Sequence, residues 1–222
     1  MLVLGVTLFV LHQWATWPDV AAVVDSNPAS TAFIDGNLAK GGPESVAWTW
    51  TPYDRISPHL KKAVLVAEDI NFFSHKGFET HEIGNALQDA VRRRTMPRGA
   101  STITQQVAKN LWLSPSRNPW RKLKEAILTK QLEQHASKRR IFEIYLNIAQ
   151  MGPNIFGAEA AARCYFDKSA AQLSAHEGAQ LAATLSRPSL WNPATPSEGY
   201  TRRVALIRTR TRKAASWLDG KL

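Results

Sequence analysis

"SPHLKKAVLVAEDINFF", Ser57 to Phe73, decides how the rest of the chain is read. Ser57 is a residue type that caps helices. Pro58 follows at the first helical position, where a missing N–H costs no hydrogen bond. Leu60, Val64, Glu68 and Phe72 then recur with a spacing of four and form one stripe. An otherwise apolar helical row thus carries a carboxylate. Desolvation disfavours the charged form and raises the pKa, which makes a carboxylate a usable base or acid near neutral pH. The alternative is that Glu68 lies near the helix end and reaches solvent or a lysine, and the pattern alone leaves both readings open. Asp69 falls on an adjacent face, placed to orient nearby groups.

Outward from this helix the pattern stays helical almost to the end of the chain. A second helix is expected over about Thr80 to Arg94, and the basic turn "RRRTMPRGAS" leads into a third. "NPWRKLKEAILTKQLEQHAS" places Trp120, Leu123, Ile127, Leu128 and Leu132 close to a 3.6-residue period. "SKRRIFEIYLNIAQ" reads as a helix capped by Ser137, and "IFGAEAAARCYF" and "SAHEGAQLAATL" read as two more. "SRPSLWNPATP" is a proline-rich loop, and "GYTRRVALIRTRTRKAASWL" is a basic amphipathic helix. Residues 21 to 52 are rich in Asp, Asn, Gly, Pro, Ser and Thr and read as a linker followed by extended structure. The expected fold class is mainly α, with a small irregular or β part near the N-terminus.

Composition bounds the function. With 222 residues, 44% of them hydrophobic, the chain can bury one real core. A formal net charge of +10 suits an anionic partner such as nucleic acid, acidic lipid headgroups or a phosphorylated substrate, or simply a solubilising surface. A single cysteine, Cys164, excludes an internal disulfide framework and a Cys-based zinc site. The apolar run from Met1 to Leu11 is shorter than the roughly 20 residues of a span. It continues to Trp14 and Trp17, an interfacial aromatic pair, and lacks the features of a secretory signal. Residues 1–20 therefore read as the C-terminal part of a membrane anchor, with an ordinary buried N-terminal helix as the alternative.

Three stretches could carry chemistry. Glu68 lies in the first. In "RKLKE", Arg121 and Lys122 precede Glu125 by four and three residues, so the three share a helix face. Such a trio is an exposed ion-pair cluster or a phosphate-binding cationic patch holding a carboxylate, which could itself hold a divalent ion. Third, "GASTITQQVAKN", Gly99 to Asn110, crowds hydroxyls and amides before a lysine. Thr102 to Gln105 fits a capping box, which accounts for one hydroxyl and one amide but not for Ser101, Gln106 or Lys109. Hydroxyls and amides match sugar hydroxyls and N-acetyl groups, while the lysine and the helix-start N–H groups match a phosphate. "HEIGN" and "HEGAQ" each lack the second histidine of a zinc protease helix, and no GxxxxGK loop or GxGxxG occurs. His75 has no Cys or His at ligand spacing and reads as a structural or orienting residue. Neither S-x-x-K nor K-T-G occurs, so the centre of a penicillin-binding transpeptidase is absent from this sequence.

Over about Trp48 to Pro193 the chain resembles the peptidoglycan glycosyltransferases of glycosyltransferase family 51, in particular the monofunctional biosynthetic type. "EDINFFSHKG", "GASTITQQ", "RKLKE", "KRRIFEIYLN" and "RPSLWNP" resemble the family's five motifs, in order. The resemblance implies a lysozyme-like helical head and a smaller apolar jaw on the membrane, within a glycosyltransferase domain of 48–222 preceded by a 21–47 linker. It implies polymerisation of lipid II into linear glycan with release of undecaprenyl diphosphate. Glu68 becomes the base on the acceptor's 4-hydroxyl, and Glu125 supports pyrophosphate departure, directly or through Mg2+ or Mn2+. Ser101, Thr102, Gln105, Gln106, Lys109, Arg121 and Lys122 match donor-site contacts, with Arg98 a weaker candidate. No organic cofactor is implied. The implied partners are lipid II, the growing strand, membrane lipids and other cell-wall synthesis or division proteins, not nucleic acid. The implied location is single-pass in the bacterial inner membrane, with the catalytic domain on its outer face. The chain departs from the family pattern at Gln150, where Glu is frequent, at Asn154, where Gly is frequent, and at Phe142 in motif four. Two rival readings remain. A lysozyme-like hydrolase would use the same two carboxylates but leave the cations around Glu125 unexplained. A non-catalytic lipid or glycan binder would leave Glu68 unexplained.

Overall fold

The computed structural model describes residues 2–39, 46–79, 101–114 and 119–222. In chain order the helices are α1 (Leu2–Ala15), α2 (Ala22–Asp25), α3 (Ala32–Leu38), α4 (Pro58–Glu68), α5 (Ile103–Trp112), α6 (Pro119–His135) and α7 (Lys138–Ile148). They continue as α8 (Ala158–Phe166), α9 (Ala175–Thr184), α10 (Glu198–Lys213) and α11 (Ala215–Asp219). The strands β1 (Ala47–Trp48), β2 (Gln150–Gly152) and β3 (Ile155–Phe156) form one sheet in the order β1-β3-β2. The fold is mainly helical with a small sheet, as expected, but only β1 lies in the N-terminal part of the chain, and β2 and β3 come from residues 150–156. The predicted helix over about Thr80 to Arg94 and the basic turn after it lie outside the described residues.

Local chemistry fixes most boundaries. Ser57 caps α4, its hydroxyl accepting from His59 N at 3.2 Å, and Ser137 caps α7 in the same way through Arg140 N at 3.2 Å. The predicted capping box forms at α5, where Gln105 Oε1 accepts from Thr102 N at 2.9 Å and Thr102 Oγ1 accepts from Gln105 N at 3.2 Å. Four boundaries differ from the sequence expectation. α4 stops at Glu68, because Asp69 turns out of the helix (φ −166°, ψ 79°), so Phe72 is buried from a turn rather than from the helical stripe. Ile155–Phe156 is a strand, cut from α8 by Gly157 at φ 80°. The basic helix expected to reach Leu218 breaks at Ala214. The described part of the expected linker 21–47 holds α2 and α3, because Val20, Val23 and Ile34 find buried places and Thr31 caps α3 by accepting from Ile34 N at 3.1 Å.

α4 runs through the core, with Leu60, Val64 and Leu65 fully buried. α9 and α10 pack on it, while α3, α6 and α7 pack on α5. The α4–α9 approach requires Gly178: a Cβ there would meet Leu60 N at 2.9 Å. The sheet is tied to α7 by buried Asn147, whose Oδ1 accepts from Thr51 N at 2.7 Å and whose carbonyl accepts from Trp48 Nε1 at 2.8 Å. Asn154 adopts φ 55°, a left-handed conformation that asparagine tolerates better than most residues.

The N-terminal run forms α1, of 14 residues. At 1.5 Å per residue it rises about 21 Å, short of the roughly 30 Å of a bilayer's hydrocarbon. No helix among the described residues is long and apolar enough to cross a membrane. The end of α1 is instead fastened along α6: Trp120 Nε1 donates to Gln13 Oε1 at 3.1 Å and Trp17 Nε1 to Gln131 Oε1 at 3.0 Å.

Candidate active site

The site begins where α4 ends. Asp69 is buried, and its Oδ2 accepts from Ile103 N, the first N–H of α5, at 2.9 Å. His75 Nε2 lies 3.0 and 3.1 Å from its two oxygens, and His75 Nδ1 accepts from Gly77 N at 3.1 Å, which makes Nε2 the protonated nitrogen. Thr102 Oγ1 donates to Gly77 O at 2.7 Å. Gly77 itself sits at φ 85°, where a Cβ would come within 2.9 Å of Thr129. "EDINFFSHKG" and "STITQQ" are thus locked together through Asp69, His75, Gly77 and Thr102.

Asp69, His75 and Glu79 are the one group among the described residues whose ligand atoms lie close enough for a metal ion, within 4.8 Å of one another. Both Asp69 oxygens are already engaged by His75 and the α5 N-terminus, so the group is built as a hydrogen-bonded staple.

Glu68, next to Asp69, takes a different set of partners. Gln106 Nε2 donates to Glu68 Oε2 at 2.9 Å, and Tyr145 OH donates to Gln106 Oε1 at 3.3 Å, which fixes which way the amide faces. Burial pushes the Glu68 carboxyl above its usual range. The Gln106 hydrogen bond and the charges of Arg203 and Lys109 partly offset this, and Asp69 adds to it. Tyr145 is wholly buried beside the two carboxylates and its phenol is pushed well up, so it stays a neutral donor.

Lys109 joins this half of the site to the other. Its ammonium is partly buried and its pKa lowered, chiefly by desolvation. Glu125 and Glu68 both act to keep it charged, against Arg121 and Lys122. Glu125 itself is 3% exposed. Arg121 Nη1 stands 3.2 Å from one of its oxygens and Lys122 Nζ bonds the other. A carboxylate whose oxygens face two cations, with a third nearby, does not make a cation site from protein ligands alone. No histidine or second carboxylate joins Glu125 in a metal-binding group among the described residues.

The sequence candidates therefore divide. Glu68, Gln106 and Lys109 converge at the α4–α5 junction, and Glu125, Arg121 and Lys122 form a second group linked to it through Lys109. Thr102 and Gln105 are buried and committed to the helix cap, and Ser101 is exposed just before it. Arg98 lies outside the described residues. Sequence reading missed two contributors. Tyr145 stands inside "KRRIFEIYLN", but its spacing marks only a core face. Arg203 is one of many cations on the basic helix, and no local pattern singles it out.

A family model described as Transglycosylase matches residues 36–212. A biosynthetic peptidoglycan transglycosylase from Methylobacillus flagellatus is 42% identical over 217 residues, covering 96% of this chain and 95% of that one. The protein of the same name from Thiobacillus denitrificans is 43% identical over 208 residues, covering 92% and 90%. That from Aromatoleum aromaticum is 45% identical over 192 residues, covering 85% and 84%.

Proposed function

The chain belongs to the transglycosylase family, and from that premise we propose how its residues divide the work of polymerising lipid II. It is a peptidoglycan glycosyltransferase. Its substrates are lipid II and the growing glycan strand, and its by-product is undecaprenyl diphosphate. Glu68 accepts the proton of the acceptor's 4-hydroxyl as that oxygen attacks the anomeric carbon of the donor. The bond from that carbon to the pyrophosphate breaks on the opposite face, with inversion.

The observation that carries this reading is the contrast between the two halves. Glu68 is desolvated, raised in basicity and oriented by Gln106, as a general base requires. The half around Glu125 gathers Arg121, Lys122 and Lys109, as a departing pyrophosphate requires, because that leaving group calls for neutralisation of charge rather than a proton. Glu125 holds Arg121 and Lys122 in place between turnovers. A divalent ion at this position would draw most of its ligands from the pyrophosphate and water, and no step here depends on one. Ser101 belongs to the donor side in this reading, and Arg98, outside the described residues, is a weaker candidate that rests on the family resemblance alone.

We place the enzyme on the outer face of the cytoplasmic membrane, where a lipid-linked donor is found. Leu8, Leu11 and Trp14 on α1 and Leu123 and Ile127 on α6 are exposed apolar residues on two helices fastened together. They suit contact with the hydrocarbon boundary. The family's division into a head and a membrane-facing jaw fits this placement.

Incubation of the purified chain with lipid II tests the assignment. Long polymer is expected. Short fragments would mean a hydrolase, and no turnover would mean a binder.

A further inference from the structure

Arg203 lies on α10, outside all five motif stretches, yet its side chain reaches the end of α4. Its Nη2 donates to Ala67 O at 2.9 Å. That carbonyl belongs to the last turn of α4, where no intrahelical partner remains, and a cation there also meets the negative end of the helix dipole. Ala67 immediately precedes Glu68. The rest of α10 is held against α4 and α9 by Tyr200, Val204 and Ile207, all buried. Arg202 next to it points elsewhere, to an exposed pair with Glu198. Arg203 Nε is buried with no hydrogen-bond partner among the described residues. An orphaned donor detracts from stability, so packing alone does not account for a guanidinium at this place.

We propose that Arg203 is the positioning residue of the catalytic base: it fixes the last turn of α4 and sets a permanent positive charge beside Glu68. The proposal rests on the reading of Glu68 as the base. The groups facing Glu68 are Gln106 and Lys109 from α5, Tyr145 from α7, Asp69 next in the chain and Arg203 from α10. Of these only Arg203 and Lys109 are cationic. Lys109 has a lowered pKa and is shared with Glu125. A guanidinium keeps its charge at every working pH and bonds a carbonyl in a fixed direction. The Arg203 charge lowers the pKa of Glu68 against the upward push of burial. Arg203 thus widens the pH range over which the base is ionised.

The test compares Arg203→Met, which keeps the length of the stem without its charge, and Arg203→Lys, which keeps a charge without the planar fork. Initial rates at saturating lipid II are measured across pH, together with the KM for lipid II and the melting temperature. The acid limb of the rate profile is expected to move up by on the order of one pH unit in Arg203→Met and by less in Arg203→Lys, with KM little changed. A limb that stays in place in whichever variant folds overturns the proposal, even if the rate falls uniformly. Failure of both variants to fold overturns it as well, since Arg203 would then serve folding. The two readings fail separately. Glu68→Gln that keeps more than about a tenth of the activity removes the base itself. An unmoved limb alongside an inactive Glu68→Gln removes only the part given to Arg203.

Discussion

Replacing Glu68 with Gln separates chemistry from structure at the α4–α5 junction. The amide has the shape of the carboxyl and can still accept from Gln106 Nε2, the 2.9 Å bond that holds the native side chain. What it loses is basicity. A general base contributes roughly 100-fold or more, equivalent to about 2.7 kcal/mol of barrier at 1.36 kcal/mol per decade. Polymerisation of labelled lipid II should therefore fall to about a hundredth of wild type or below. Stability should move the other way. The Glu68 carboxyl titrates above its ordinary value in the folded chain. Its neutral form therefore favours folding, a contribution present below the unfolded pKa and lost as pH rises through the folded one. Gln stays neutral throughout. The variant should melt above wild type at pH 7 to 8, and the gap should close as pH falls toward about 4, near the unperturbed carboxylate value. Circular dichroism melts at several pH values, run beside the activity assay, check both halves. Activity above about a tenth of wild type would refute the base assignment, and a lower melting temperature at neutral pH would refute the desolvation argument.

Replacing Arg121 and Lys122 together with Ala should weaken ligands that carry pyrophosphate and spare a phosphate-free glycan; equal losses by calorimetry would remove the phosphate site. Tyr145→Phe frees the Gln106 amide to turn, and losing one hydrogen bond of about 1 kcal/mol predicts a rate roughly fivefold lower, so an unchanged rate would show that the phenol does not orient the site. Gly178→Val drives a Cβ toward Leu60 N, 2.9 Å away. Overpacking of about 1–3 kcal/mol should lower the melting temperature by roughly 2–4 °C per kcal/mol, and an unshifted melt would show that α9 can slide on α4. The product of the purified chain should be linear glycan whose muramidase digest contains only disaccharide-peptide monomers, because the sequence holds neither S-x-x-K nor K-T-G; a crosslinked dimer peak would contradict this.

What could be read beforehand follows the range of the interactions. The caps at Ser57, Thr102 and Ser137 are decided within three residues and were legible, as were the helices they start. The end of α4 was not, because Asp69 leaves the helix to bind Ile103 N and His75, and the first of these partners is 34 residues away. The helices α2 and α3 within residues 21–47 were not legible either, because the short apolar runs that hold Val23 and Ile34 become buried only against distant parts of the folded chain. At the site, the trio Arg121, Lys122 and Glu125 was legible because helix spacing alone brings it together. Arg203 was not, because it meets Ala67 across 136 residues and resembles every other cation on its helix.

The pairing of Glu68 with Asp69 shows how adjacent carboxylates come to do different work. Asp69 lies at the N-terminus of α5 and receives that helix's first N–H as well as a histidine. Its charge is thereby spent on structure. Glu68, one residue earlier, ends α4 at the carbonyl end, where the dipole repels a negative charge and burial adds to the penalty. Exchanging the environments would leave the base with both oxygens tied up by His75 and Ile103 N, and of little use. With Glu68 as the proposed base, the helix break between them becomes part of the chemistry. It aims one carboxylate at the helix that follows and leaves the other facing Gln106, Lys109 and Arg203.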